Sequence, residues 1–236
     1  MQLVSFMYTA ILGYVTVSSA YPTLDSLSLT QQLFLADTAV DRFSLLPNDT
    51  QFVFDFNKYL NDAGEAGAIV AANRQVFPAL VGTGSGMAVG RIGACGMNTL
   101  HVHPRSTELQ LVVEGRLITE MNPENGVLDH KGNRRVIRNI VEPFQMTPFY
   151  QGSMHTQFNP DCNNVTFIAS FASEDFGTEQ VADGIFSFSN EVLAATFGQT
   201  IAGESLDLVR NSIPPSIALG VETCLQQCGM QKRTNY

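Results

Sequence analysis

The spacing of hydrophobic residues divides the chain into a β-rich middle and two helical ends. From Ser28 to Leu46, apolar residues recur at helical spacing. From about Gln51 to Phe188, short apolar runs alternate with clusters of Gly, Pro, Asn and Asp, which is typical of a β-sandwich or barrel. The last residues return to helical spacing. We therefore predict an N-terminal helical segment at 21–50, a β domain at 51–188 and a C-terminal helical extension at 189–236.

The apolar runs give the individual elements. The predicted strands of the middle segment are Gln51–Phe56, Ala68–Ala71, Gln75–Val81, Met87–Ile92, Thr99–Val102, Glu108–Val113, Leu117–Glu120, Arg135–Ile140, Phe144–Thr147, Ser153–Phe158 and Val165–Phe171. The predicted C-terminal helices are Glu191–Phe197, Gly203–Ser212 and Ile217–Gln227.

Residues 1–20 have the pattern of a secretory signal peptide. An apolar run from Leu3 to Val17 is followed by the small residues Ser18-Ser19-Ala20, so we predict cleavage after Ala20. A buried or membrane-anchoring helix is the alternative, but an anchor needs about 20 apolar residues and this run is shorter. Two N-x-S/T sequons, at Asn48 and Asn164, fit an exported glycoprotein. The predicted location is therefore extracellular or in a cell wall.

Composition and charge exclude two classes of partner. The 236 residues include 13 Lys plus Arg against 22 Asp plus Glu, which gives a net charge of −9. Such an acidic chain has no basic surface to follow a phosphate backbone, so no nucleic-acid partner is expected. No segment after residue 20 is long and apolar enough to span a bilayer, so no membrane partner is expected either.

Candidate chemistry is concentrated in two patches that contain three of the four histidines. His101 and His103 are two residues apart in a predicted strand, so their side chains point to the same face. A short turn then brings Glu108 back beside them. The second patch, Gly152-Ser-Met-His155, places a third imidazole on another strand. Three imidazoles and one carboxylate suit Mn, Fe, Ni, Cu or Zn. His130, by contrast, lies in a polar hairpin turn and is interpreted as a solvated loop residue.

Together the two patches resemble the two motifs of the cupin superfamily, and within it the secreted germin-like and spherulin-like proteins. The first patch reads H-x-H-x4-E-x6-G and the second G-x2-H-x3-N. The resemblance implies a mainly β fold, a double-stranded β-helix (jelly-roll) barrel with an N-terminal helical stretch and C-terminal helices. It also implies one divalent metal ion per chain, manganese above all, held by His101, His103, Glu108 and His155. By the same resemblance we expect a homo-oligomer, either a dimer or a hexamer.

The chain departs from the germin pattern at positions near the proposed site. The family's first motif opens with Gly where this chain has Cys95. Asn98 matches one asparagine of the oxalate oxidases, whereas Ala88 stands where those enzymes have a second one. Asn98, Gln157 and Asn159 are our candidates for polar contact with a small-molecule substrate. The loss of the second asparagine puts oxalate oxidation in doubt without excluding it.

Three functions stay open from the sequence. The first is a manganese-dependent oxidoreductase that acts on superoxide or on a small carboxylate such as oxalate, with no catalytic residues beyond the metal ligands. The second is a non-catalytic, spherulin-like extracellular protein in which the metal serves structure or storage. The third, binding of a sugar or an auxin-like molecule in the same barrel, has less support.

The four cysteines can pair in three ways. If the His101 and His155 strands are antiparallel neighbours, their register brings Cys95 close to Cys162, and we predict a disulfide between them. Cys224 and Cys228 would then pair with each other after local distortion of a helix. Free buried thiols are the alternative.

Overall fold

The computed structural model of the protein describes residues 26–60, 64–200, 203–214 and 216–231. The predicted signal peptide, residues 1–20, lies outside the described residues. The strands are β1 (Gly67–Ala72), β2 (Gly86–Ile92), β3 (Gly96–Val102), β4 (Glu108–Glu114), β5 (Leu117–Asn122), β6 (Ile137–Val141), β7 (Met146–Phe149), β8 (Met154–Phe158), β9 (Val165–Phe171), β10 (Glu179–Gln180) and β11 (Ile217–Leu219).

These strands form two antiparallel sheets. The first has the order β1-β2-β9-β4-β7, and the second has the order β10-β3-β8-β5-β6, with β11 added alongside β3. Consecutive strands thus often lie in different sheets, as a jelly roll requires. The predicted mainly β architecture with helices at both ends is confirmed.

The interior between the sheets is apolar at one end and polar at the other. Strand alternation points every second residue inward, as in β9, where Val165, Phe167, Ala169 and Phe171 are buried. The apolar core consists of Ala88, Ile92, Val112, Leu117, Val141, Val165, Phe167, Ala169, Phe171 and Phe176. Toward the start of β4, however, the inward positions carry Glu108 and Gln110, which are fully enclosed. Burial of such polar groups is costly unless they are paired, so this end marks the place to look for chemistry.

Helices occupy both ends of the chain. They are α1 (Leu29–Leu35), α2 (Ala39–Ser44), α3 (Asn57–Leu60), α4 (Val181–Phe186), α5 (Asn190–Thr196), α6 (Gly203–Arg210) and α7 (Glu222–Gln227). The predicted helical segment Ser28–Leu46 is two helices, because Ser28 and Thr38 each begin one with a capping box. None of the helices in the described ranges is long and apolar enough to cross a membrane.

Two predicted strands are wrong for local reasons. In place of the strand at Gln51–Phe56 there is a 3-10 helix at Asp49–Phe52, and Phe54 packs against Phe56 and Phe77 instead of joining a sheet. In place of the strand at Gln75–Val81, the Asn73 side chain accepts hydrogen bonds from the next amides and closes a turn. A second 3-10 helix follows at Pro78–Leu80.

The predicted disulfide pairing is also wrong. The structure joins Cys95 to Cys224 and Cys162 to Cys228. β3 and β8 pair near Met97 and Phe158, and the Asp161 carbonyl still accepts from the Cys95 amide, but the Cys162 side chain is exposed whereas the Cys95 side chain is buried. Instead α7 packs against Cys95, and Cys224 on α7 and Cys228 directly after it, four residues apart, reach two different partners.

Candidate metal centre

Three strands from both sheets bring the predicted ligands together. β3 carries His101, and His103 follows directly after its last residue; β8 carries His155 directly opposite His101. Glu108 opens β4 in the other sheet and faces them across the barrel. All four residues are buried, with at most 5% of their surface exposed. One ligand atom from each lies within 4.8 Å of every other, so the four could hold a metal ion.

A bulge in β3 decides which neighbours face this centre. The β3–β8 register shifts between Asn98 and His101, so Asn98 opposes Gln157 while His101 opposes His155. Residues three apart in a regular strand would point to opposite faces. Because of the shift, Asn98 and His101 are both turned inward and buried.

Backbone carbonyls fix the orientation of all three imidazoles. Nδ1 lies 2.7 Å from the Thr99 oxygen in His101, 2.6 Å from the Gly177 oxygen in His103 and 2.9 Å from the Ser153 oxygen in His155. A carbonyl can only accept, so each Nδ1 carries the proton and donates it. In the neutral ring, each Nε2 is then left with a lone pair directed at the centre.

In the centre, the lone pairs of the imidazole nitrogens and the carboxylate oxygen of Glu108 face one another. Their repulsion is removed only by a cation bound between them. Nε2 of His103 lies 2.9 Å and Nε2 of His155 3.3 Å from the same oxygen of Glu108. An imidazole lone pair beside a carboxylate oxygen is repulsive unless a proton or a metal ion lies between them. The Asn98 amide nitrogen, 3.3 Å from Nε2 of His101, donates toward the remaining lone pair. Three nitrogens and one carboxylate oxygen fit a first-row divalent ion.

Aromatic rings hold the ligand side chains from behind. The Phe149 ring stacks on His155 with centroids 4.2 Å apart, and the Phe171 ring meets His103 edge-on at 4.8 Å. Phe176 in turn stacks on Phe171. These contacts limit ring rotation and exclude water from the ligands, which preorganises the centre.

Burial and the close packing of the ligands shift two pKa values. Burial lowers the pKa of His101 from 6.5 to about 3, and the neighbouring His155 adds to this effect. For Glu108, burial alone would raise the pKa, but in the metal-free protein hydrogen bonds that the His103 and His155 rings donate from Nε2 outweigh burial and lower the pKa from 4.5 to about 2. At neutral pH the centre therefore presents a neutral His101 and an ionised Glu108, the forms that bind a metal.

These shifts predict that acid destabilises the metal-free protein. Below pH 6.5 the unfolded chain protonates His101 while the folded chain does not, so folding stability falls as pH drops toward about 3. Glu108 acts in the same direction below 4.5, because only the folded state stays ionised. From pH 6.5 to 4.5 we expect His101 to remove about 2 kcal/mol of unfolding free energy.

Urea unfolding of the metal-free protein at several pH values measures this loss. Replacing His101 with glutamine should flatten the pH dependence, whereas His130→Gln, a matched change of the exposed loop histidine, should leave it intact. A slope that is the same in the His101→Gln and unchanged proteins would refute the assignment.

A cavity of about 240 Å³ opens beside the centre. Asn98 and Gln157, two of the candidate substrate contacts, supply amide groups to its wall, and the side-chain oxygen of Gln157 has no hydrogen-bond partner among the described residues. A buried, unpaired amide oxygen is rare and indicates a place for a water or ligand. Much of the remaining wall is apolar and is formed by Ile69, Ala71, Ala88, Phe167, Ala169, Phe171 and Phe176.

Asn159 lies elsewhere, which corrects its predicted role as a substrate contact. Its side-chain nitrogen donates to the carbonyls of Gly93 and Asn163, and its oxygen accepts from the Asp161 amide. Both the nitrogen and the oxygen of the Asn159 side-chain amide therefore form hydrogen bonds that stabilise the turn after β8. His130 is an exposed loop residue, as predicted.

Sequence analysis missed three polar residues that line the cavity. Thr178 and Gln180 come from the segment around β10, and Ser216 comes from the segment that leads into β11. All three are single polar residues in stretches without a motif. Only the pairing of β10 and β11 with β3 brings them to the site, so no local signal could have identified them.

Comparison with known sequences gives two levels of similarity. A family described as Cupin matches residues 57–203. Spherulin-1B from Physarum polycephalum is 36% identical over 201 residues, which cover 84% of this chain and 77% of the relative. Germin-like protein subfamily 1 member 7 from Arabidopsis thaliana is 33% identical over a shorter stretch, 43% of this chain and 44% of the relative.

Solved structures share the fold at low sequence identity. An oxalate oxidase in complex with the substrate analogue glycolate superposes with a TM-score of 0.58 at 20% identity, over 69% of this chain and 81% of that one. An oxalate decarboxylase from Bacillus subtilis, described by its Mn(II) centres, has a TM-score of 0.53 at 14% identity, over 67% of this chain and 39% of that one. At these identities the likeness concerns the barrel alone.

Proposed function

Because this chain belongs to the cupin family, we propose that it is an exported manganese-binding oxidoreductase that acts on superoxide or on a small carboxylate such as oxalate. The observation that carries the proposal is the buried set of three imidazoles and one carboxylate whose lone pairs converge beside a small cavity. His101, His103, Glu108 and His155 would hold the ion. Once bound, a manganese ion supplies one-electron redox chemistry and Lewis acidity.

Manganese is proposed over other first-row ions on two grounds. The donor set includes a hard carboxylate oxygen and lacks the soft thiolates that select copper or zinc. The oxalate decarboxylase with the same barrel fold is described by its Mn(II) centres. Fe, Zn, Cu and Ni are outcomes that metal analysis of the purified protein can distinguish from manganese.

The cavity wall favours a small anion that needs few contacts. Among the described residues that line it there is no Lys or Arg, so the charge of an anion would be balanced by the bound cation. Asn98 and Gln157 can donate amide hydrogens to such an anion from one side. On the other side, Ala88 offers no polar group. Superoxide needs fewer hydrogen-bond donors in the cavity wall than oxalate, because oxalate has a carboxylate at each end. Superoxide is therefore the favoured substrate.

Two assays of the manganese-loaded protein test this function: superoxide removal, and oxygen uptake on addition of oxalate. Replacing Asn98 with alanine should lower kcat/KM by about 10-fold or more, the effect of losing one hydrogen bond to a charged ligand. The metal content should be unchanged, because Asn98 is not one of the proposed ligands. Asn139→Ala, on the exposed face of β6, is the matched control and should retain full activity. A loaded protein that performs neither reaction would refute the oxidoreductase proposal.

A second candidate function, in which the metal serves structure alone, has its own support. The four proposed ligands come from β3, β4 and β8, so a bound ion would cross-link the two sheets. On this proposal, removing the metal with a chelator lowers the unfolding temperature, and no turnover accompanies the loaded state.

Export and oligomer formation remain parts of the proposal. Two disulfides and no free cysteine among the described residues fit an oxidising compartment. Large apolar side chains are exposed on the terminal helices, among them Val40 and Phe43 on α2 and Leu208 on α6. Such surfaces favour contact with a further copy of the chain.

A further inference from the structure

The four cysteines form one compact cluster at the apolar end of the barrel, apart from the metal centre. Cys95, directly before β3, is fully buried, and its partner Cys224 on α7 is nearly so. The second bond is more accessible, since Cys162 is exposed and Cys228 is partly exposed. The cluster therefore combines an inner disulfide with an outer one.

The two disulfides are close enough to react with each other. Sγ of Cys228 lies 3.5 Å from Sγ of Cys95 and 3.8 Å from Sγ of Cys224. Cys228 thus lies beside the inner bond while bonded to Cys162. If the outer bond is opened at Cys162, the freed Cys228 side chain can rotate into line with the inner bond, which is the approach that disulfide exchange requires.

We propose that the four cysteines are a thiol-exchange site, at which a low-molecular-weight thiol enters at Cys162 and Cys228 passes the exchange to the inner disulfide. In the first step the thiolate attacks Sγ of Cys162, which forms a mixed disulfide and releases Cys228 as a thiolate. In the second step Cys228 attacks Sγ of Cys95, so that a Cys95–Cys228 bond forms and Cys224 leaves as a thiolate. Neither step changes the number of disulfides. A second equivalent of the external thiol resolves the mixed disulfide, which leaves Cys162 as a thiol and releases the thiol's own disulfide.

The exchange has a structural target, because the cluster anchors the C-terminal strap, defined here as β11 and α7. β11 pairs with β3, with Ile217 opposite Asn98, and the Thr99 amide donates to the Ser216 carbonyl at 2.8 Å. Asn98 and Ser216 both line the metal cavity. Exchange to the Cys95–Cys228 bond keeps the strap covalently tethered, whereas reduction of both bonds leaves β11 held only by its pairing with β3 and the packing of Ala218 and Leu219.

Two serine variants test the relay directly. Cys162→Ser leaves Cys228 as the starting thiol beside the intact inner bond, and Cys228→Ser leaves Cys162 instead. Each protein is incubated at pH 8, trapped with iodoacetamide and mapped by peptide mass spectrometry. In Cys162→Ser we expect the label to spread from Cys228 to Cys224, while in Cys228→Ser it stays on Cys162. Label confined to Cys228 in the first variant would overturn the proposal.

The unaltered protein supplies the second measurement. With two equivalents of reduced glutathione per protein, one for the attack on Cys162 and one to resolve the mixed disulfide, we expect Cys162 and Cys224 to be alkylated while Cys95 and Cys228 remain joined. Full reduction of both bonds should speed hydrogen exchange of the Thr99 amide severalfold, since its acceptor lies on the released strap. Alkylation of Cys162 and Cys228 alone contradicts the relay, and an unchanged Thr99 exchange rate contradicts the link to the cavity. Neither readout depends on a bound metal, so failure here is distinct from failure of the proposed oxidoreductase function.

Discussion

Replacing His103 with alanine is expected to remove stoichiometric manganese from the purified protein. His103 supplies one of the three imidazoles, and its Nε2 lies 2.9 Å from the Glu108 carboxylate at the middle of the cluster. Changes that only perturb the support of a metal ligand cost about 10–100-fold in affinity, so loss of a ligand itself should exceed that range. Metal analysis after growth with manganese chloride measures the effect.

The matched control for this experiment is His130→Ala. It removes the same side chain from an exposed loop and should leave the metal content unchanged. Circular dichroism of both variants checks that the barrel is intact. Full manganese occupancy in a folded His103→Ala protein would show that His103 is not a ligand.

Phe167→Ala is expected to destabilise the metal-free protein by about 3–5 kcal/mol, the usual cost of removing a buried phenylalanine. The Phe167 ring is 1% exposed and belongs to the central core. It fills the space over Gly90, its partner across the β2–β9 pair, where a Cβ would overlap the ring. Gly90 has no side chain that could fill that space, so the cavity penalty should be near the upper end of the range.

Urea unfolding at neutral pH measures this change in stability. Phe144→Ala is the control, because that ring is 80% exposed and its removal should change the unfolding free energy by no more than about 0.5 kcal/mol. Equal effects of the two substitutions would mean that Phe167 does not pack as described.

The strand pattern was predictable wherever an alternating apolar run coincided with burial on one face. β2, β4, β5, β8 and β9 lie within a residue or two of their predicted bounds. The predictions failed where a partner decided the conformation. Ile217–Leu219 lies in a segment predicted to be helical, yet it is a strand because the edge of β3 accepts it. Gln51–Phe56 alternates like a strand but has no edge to join, and its aromatic rings pack locally.

Only the three-dimensional structure explains why Cys95 can replace the glycine of the related motif. Cys95 stands where the related motif has glycine, and its φ is +55°, in the left-handed region that favours glycine. Its amide donates to the Asp161 carbonyl, and its side chain is bonded to Cys224. A cysteine is therefore tolerated at a glycine position because the disulfide and the hydrogen bond hold it there.

The sequence by itself indicated the proposed ligands, because a two-residue spacing in a strand turns His101 and His103 to one face and Glu108 follows after a short turn. It also indicated the barrel, through the spacing of the apolar runs. The tertiary structure alone decided the rest. It placed Asn98 beside His101 by a bulge, directed the Asn159 amide to the turn after β8, added Ser216 from the C-terminal part of the chain to the cavity wall and paired the cysteines through α7. These features depend on contacts between residues far apart in the chain. Such contacts produce no repeating pattern of hydrophobic residues from which they could be predicted.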